Sequence, residues 1–141
     1  MAESLKKLKE LFDLKDADLR TYSPLTLAYI GDGVYELVIR TILVKKSELS
    51  GKSSPQKSQQ PCKSICTVGY DGDPRTTFDR EEKSVYRRGR NAHSATMAKH
   101  ATMADYRRAT GFEALMGYLY LKEDFSRILE LVHAGLEKEE I

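Results

Sequence analysis

Much of the usual catalytic and metal-binding apparatus is missing from this chain. Cys62 and Cys66 are the only two cysteines in 141 residues. Two thiols fall short of a structural zinc set and read as reduced thiols of a cytoplasmic protein. His93, His100 and His133 form no HExxH pair, and no serine lies in a GxSxG elbow, so zinc-peptidase and serine-hydrolase readings lack their parts. No apolar run approaches the roughly 20 residues that a spanning helix needs, and no charged leader followed by an apolar stretch opens the chain. The expectation is a cytoplasmic protein with no membrane contact. Strand candidates are absent outside residues 47–78, which leaves an all-α fold.

What is present suits one domain over residues 1–141, with 40% hydrophobic and 31% charged residues: enough for one modest core and too little for two. The formal net charge is only +2, but the charge is unevenly spread. Lys83, Arg87, Arg88, Arg90, Lys99, Arg107 and Arg108 face a single acid, Asp105, between positions 83 and 108.

Apolar spacing predicts an amphipathic first helix from Ser4 to Phe12, built on Leu5, Leu8, Leu11 and Phe12. Ser23-Pro24 pairs an N-cap serine with proline at the first helical position. The text from there to about Lys46 is apolar nearly all round, as in a central buried helix. Asp79 followed by Glu82 reads as a capping box for a helix ending near Arg90 or Asn91. Two more helices are expected, from about Thr102 to Leu121 and from Glu123 to Lys138.

Residues 47–78 carry Pro55, Pro61 and Pro74 among serine, glutamine and lysine, with neither helical nor strand period. They read as a long loop or disordered insert. A structureless stretch of about 30 residues is uncommon inside a compact domain. Back-translating Ile65 to Asp73 with a one-base shift permits an apolar, helical string, so a frame-shifted stretch is the other reading.

Asp32 and Glu113 stand in the middle of two strongly apolar helical segments. A lone carboxylate is costly to bury, so each such acid calls for a cation, a partner or a metal ion. For one of them alone, an ion pair or helix end is sufficient explanation. Two, with Gly111 and Gly117 bracketing Glu113 and allowing close backbone approach, point to a shared divalent ion such as Mg²⁺ with oxygen ligands. Such an ion lowers the pKa of a bound water and clamps a phosphodiester oxygen. Arg87, Arg88, Arg90 and Asn91 suit phosphate contact, with Gly89 permitting backbone approach, although basic residues also favour a helix C-terminus. Beside an acid pair, nucleic acid is the leading partner. The eight tyrosines, Tyr29, Tyr35, Tyr118 and Tyr120 among them, read as core and interface residues rather than base-stacking platforms.

Leu27–Glu36, Arg87–Ala92 and Thr110–Tyr120 together resemble the Mini-III branch of the ribonuclease III family. The resemblance covers residues 22–46 and 79–138, with three motifs in the right order. It implies an all-α, homodimeric endonuclease that uses Mg²⁺ to cut both strands of double-stranded RNA, and for this branch the maturation of precursor large-subunit ribosomal RNA. Asp32 matches the catalytic aspartate of the Gly-Asp motif, and Glu113 the metal-binding glutamate of the Phe-Glu-Ala motif. Two further acids of larger relatives are replaced by Ala28 and Thr110, which leaves more coordination to water. The family's separate double-stranded-RNA-binding domain is not expected here. RNA contact then falls to Arg87, Arg88, Arg90, Asn91 and Lys99 of the nuclease domain, with an affinity that drops steeply with salt. The rival readings are a catalytically silent RNA-binding or ribosome-assembly protein on the same helices, and a structural helical dimer with ion-paired acids.

Overall fold

The computed structural model describes residues 2–50, 77–92 and 103–138. Within these, five helices follow one another: α1 (Ala2–Leu11), α2 (Pro24–Ser50), α3 (Arg80–Arg90), α4 (Met103–Leu121) and α5 (Phe125–Lys138), with a 3₁₀ turn at Leu19–Thr21 ahead of α2. No strand occurs among the described residues, so the fold is all-α as expected. None of these helices is long and apolar enough to cross a membrane.

Local chemistry accounts for the helix starts. Ser23 Oγ accepts the Thr26 N–H at 3.1 Å, capping α2 one residue before Pro24. The capping box of α3 is complete: Asp79 Oδ1 accepts the Glu82 N–H at 2.8 Å, and Glu82 Oε1 accepts the Asp79 N–H at 2.9 Å. The expected helix start at Glu123 shifts to Phe125. Glu123 has a φ of 67° and closes α4 instead, the Asp124 N–H reaching the Leu119 carbonyl at 2.9 Å.

The central buried helix is α4, not α2 as its apolar text led us to expect. Ala114, Leu115 and Met116 are wholly buried, whereas α2 leaves Leu25, Tyr29, Leu37 and Val44 exposed along one side. Apolar composition cannot say which faces find neighbours, and among the described residues α4 and α3 cover α2 on one side. The amphipathic α1 likewise buries Leu5 but leaves Leu8, Leu11 and Phe12 exposed.

Glycine sets the crossing of α2 and α4. A Cβ on Gly117 would stand 1.9 Å from the Leu27 carbonyl oxygen, so the two backbones touch where any side chain would hold them apart. Tyr35 of α2 meets Phe112 of α4 edge-on, ring centres 5.7 Å apart. Ile128, Leu131 and Val132 of α5 complete the core.

Both ends of the stretch from 47 to 78, read as a loop from the sequence, belong to the packed structure. Residues 47–50 continue α2, and Phe78 is buried with its ring 5.4 Å from that of Tyr86. The absence of an apolar period there hid one aromatic anchor and one more helical turn. Residues 51–76 lie outside the described residues, and with them the frame-shift reading of Ile65 to Asp73.

Candidate active site

The helix crossing brings together the two acids singled out by the sequence. Gly31, the residue before Asp32, lies against the main chain of Glu113: a Cβ on it would stand 1.7 Å from the Glu113 carbonyl oxygen. Asp32 is therefore carried past the Glu113 turn, close enough for its charge to act on the Glu113 carboxyl. The acids differ in setting. Asp32 is exposed rather than buried as its apolar context suggested, because α2 turns it outward at the edge of the crossing. Glu113 is half-buried.

Burial, and secondarily the negative charge of Asp32, pushes the Glu113 carboxyl from its ordinary value of 4.5 to about 7. A carboxyl held this way binds a proton near neutrality unless a cation arrives. Two oxygen-donor side chains of like charge, one open to solvent, fit a hard divalent ion that keeps most of its coordination to water. The described residues hold no group of three or more histidines, cysteines or acids that could ligate a metal without water's help. The positions one helical turn before each acid, Ala28 and Thr110, are buried and carry no carboxylate.

The basic segment sits at the end of α3. Arg87, Arg88 and Arg90 are exposed, and Arg88 donates to the Tyr22 carbonyl at 3.3 Å. Asn91 is the C-cap, its backbone N–H donating to the Arg87 carbonyl at 3.0 Å, and its side chain is also exposed. Gly89 is not open to a phosphate backbone. It is buried, and a Cβ on it would stand 2.8 Å from the Ala114 Cβ, so this glycine serves the packing of α3 on α4. Lys99, His93 and His100 lie outside the described residues; His133 is exposed on α5. Of the tyrosines, Tyr35 and Tyr118 are buried as expected, whereas Tyr29 is 83% exposed.

Sequence reasoning missed the ties that fix this basic helix. Glu82, read only as a capping residue, is 3% exposed and receives Arg127 of α5 on both oxygens, at 2.9 and 3.1 Å. Arg127 also donates to the Thr77 carbonyl at 2.9 Å and to Glu130 at 3.0 Å. Glu81 accepts the Tyr118 hydroxyl at 2.7 Å, and burial together with this contact pushes the Tyr118 pKa up to about 12. Partners 45 and 37 residues apart in the chain leave no local signal.

A family model described as the ribonuclease III domain matches residues 25–124. The chain is 40% identical to a Mini-ribonuclease 3 of Clostridium tetani over 116 residues, covering 82% of this chain and 77% of the relative. It is 39% identical to a Mini-ribonuclease 3 of Enterococcus faecalis, covering 86% and 93% respectively. Against a Mini-ribonuclease 3 of Streptococcus pneumoniae the identity is 33%, with 87% and 98% covered.

Proposed function

This chain belongs to the ribonuclease III family and is an endoribonuclease of the Mini-ribonuclease 3 kind, and we propose that it cuts double-stranded RNA with Mg²⁺ at Asp32 and Glu113. The observation that carries the proposal is the Glu113 carboxyl, half-buried beside a second acid and pushed up to about 7. A carboxyl that has lost hydration by burial, and that stands near a second acid, is stabilised in its charged form by a bound cation.

In this reading Asp32 and Glu113 hold the ion, with water completing its coordination. When bound, a divalent ion supplies an acidified water and charge compensation at the phosphodiester. The protein's own work is to orient and to release a proton. Asp32 stands at the exposed edge where a phosphodiester can reach it, and Glu113 gives up the proton that burial lets it keep. Its carbonyl is wedged against Gly31, which keeps the two carboxylates in register. Arg87, Arg88, Arg90, Asn91 and Lys99 are assigned to phosphate and 2′-hydroxyl contact in the A-form minor groove.

The enzyme acts as a homodimer, each subunit cutting one strand. The exposed side of α2, where Tyr29 at 83%, Leu37 at 55% and Val44 at 45% exposure stand beside the Glu36–Arg40 ion pair, supports this, because large apolar side chains left in water favour a partner surface. The substrate is precursor large-subunit ribosomal RNA, and the enzyme matures its ends in the cytoplasm.

The test incubates the protein with a long RNA duplex and Mg²⁺ beside Asp32→Asn and Glu113→Gln. Cleavage by the unaltered chain, lost in both variants and on chelation of the metal, is the expected result. A variant that still cuts at the original rate overturns the assignment of its residue.

A further inference from the structure

We propose that the outer face of α3 is a phosphate rail running from Arg80 through Lys83 and Arg87 to Arg90, along which a duplex RNA lies. The inference rests on the reading of the chain as an enzyme of double-stranded RNA and extends its contact surface by Arg80 and Lys83.

The four residues are spaced three, four and three apart and therefore share one helix face, opposite the buried Glu82, Val85, Tyr86 and Gly89. All four are exposed. At 1.5 Å per residue the rail is about 15 Å long, enough to meet several phosphates in succession.

What makes it a field rather than an ordinary mixed surface is the fate of the acids in the same helix turn. Asp79 accepts the Glu82 N–H, Glu81 accepts the Tyr118 hydroxyl and lies 3.7 Å from Lys122, and Glu82 is consumed by Arg127. Glu82 is buried, Asp79 is engaged in the cap, and Glu81, although its side chain is 70% exposed, is held towards Tyr118 and Lys122. Among the described residues, Arg80, Lys83 and Arg87 take part in no ion pair, so no carboxylate neutralises their exposed charge by direct contact.

The rail is also rigid and aimed. Arg127 clamps its first turn through Glu82, and Gly89 seats its last turn on Ala114, the residue after Glu113. Its Arg87–Arg90 end thus passes the turn that carries the proposed catalytic acid, and Arg80 extends the contact away from it. Planar guanidinium forks and a lysine suit phosphate oxygens at such a surface.

The test is the salt dependence of kcat/KM on a long RNA duplex at fixed Mg²⁺, for the unaltered chain, Arg80→Ala, Lys83→Ala, the double variant, and Lys7→Ala on α1 as control. Each rail substitution is expected to raise KM and to flatten the plot of log(kcat/KM) against log salt by about one unit per lost phosphate contact. The double variant loses about two, and Lys7→Ala follows the unaltered chain. Unchanged slopes in both single variants and the double variant overturn the rail and leave the face to an acidic protein partner. An unaltered chain that fails to cut duplex RNA overturns the underlying RNA reading instead.

Discussion

The main chain of Glu113 and the missing side chain of Gly31 occupy the same place: a Cβ on Gly31 would stand 1.7 Å from the Glu113 carbonyl oxygen. Gly31→Ala must push α2 off α4, at a cost of about 3 kcal/mol or more for backbone overpacking. It is expected to lower the urea midpoint sharply and to abolish cleavage at temperatures where the variant still folds. Gly33, two residues on, has nothing within 4 Å of a built Cβ. Gly33→Ala is expected to raise the unfolding free energy by up to about 1 kcal/mol through helix propensity. Equal destabilisation by the two substitutions would defeat the crossing argument.

The Glu113 carboxyl binds its proton up to about 7 in the folded chain, against an ordinary value of 4.5. Between those values the folded state holds more protons than the unfolded one, so this group makes stability fall as pH rises through the window. Without divalent ions the chain should unfold at lower urea at about pH 8 than at about pH 5, with Glu113→Gln flattening the difference. Cleavage moves the opposite way, rising with pH through about 7 as the carboxylate becomes available to the ion. A Glu113→Gln chain with the original stability profile would remove Glu113 as its source.

Glu82 is 3% exposed and its carboxylate is satisfied by Arg127. Arg127→Ala leaves that charge buried without its partner, and we expect a loss of about 3–5 kcal/mol. Arg127→Met combined with Glu82→Met should cost less than the sum of the single changes, a coupling that chemical denaturation of the four chains reads directly. Additive losses would mean that the pair is not coupled.

Leu37 is 55% exposed on the uncovered side of α2, on the same side as Tyr29 and Val44. If that side joins two copies, Leu37→Asp converts the dimer to monomer in analytical ultracentrifugation without a large change in monomer helicity, because Leu37 is more than half exposed in the single subunit. A variant that sediments as the unaltered chain would place the dimer contact elsewhere.

Helix starts and isolated acids are set by local chemistry and are legible in the chain. Ser23 and Asp79 announce their helices because capping is decided by a few adjacent residues, and both caps form. The acids Asp32 and Glu113 were conspicuous because a carboxylate amid apolar helical text has few neutral explanations. Their settings were not legible. The outward turn of Asp32 and the inward lean of Glu113 depend on which side of α2 meets α4. Gly89 likewise serves packing rather than phosphate approach, because Ala114 across the interface fills the space beside it.

Periodicity, capping and charge along the chain suffice for the helical class, most helix starts, the pair of acids and the basic character of the segment around Arg87. That α4 and not α2 is the buried centre follows from helix packing. Packing joined Glu82 to Arg127 and Glu81 to Tyr118, and left Arg80, Lys83 and Arg87 exposed on the outer face of α3. Such choices depend on contacts between residues tens of positions apart, whose energies exist only once the helices have packed.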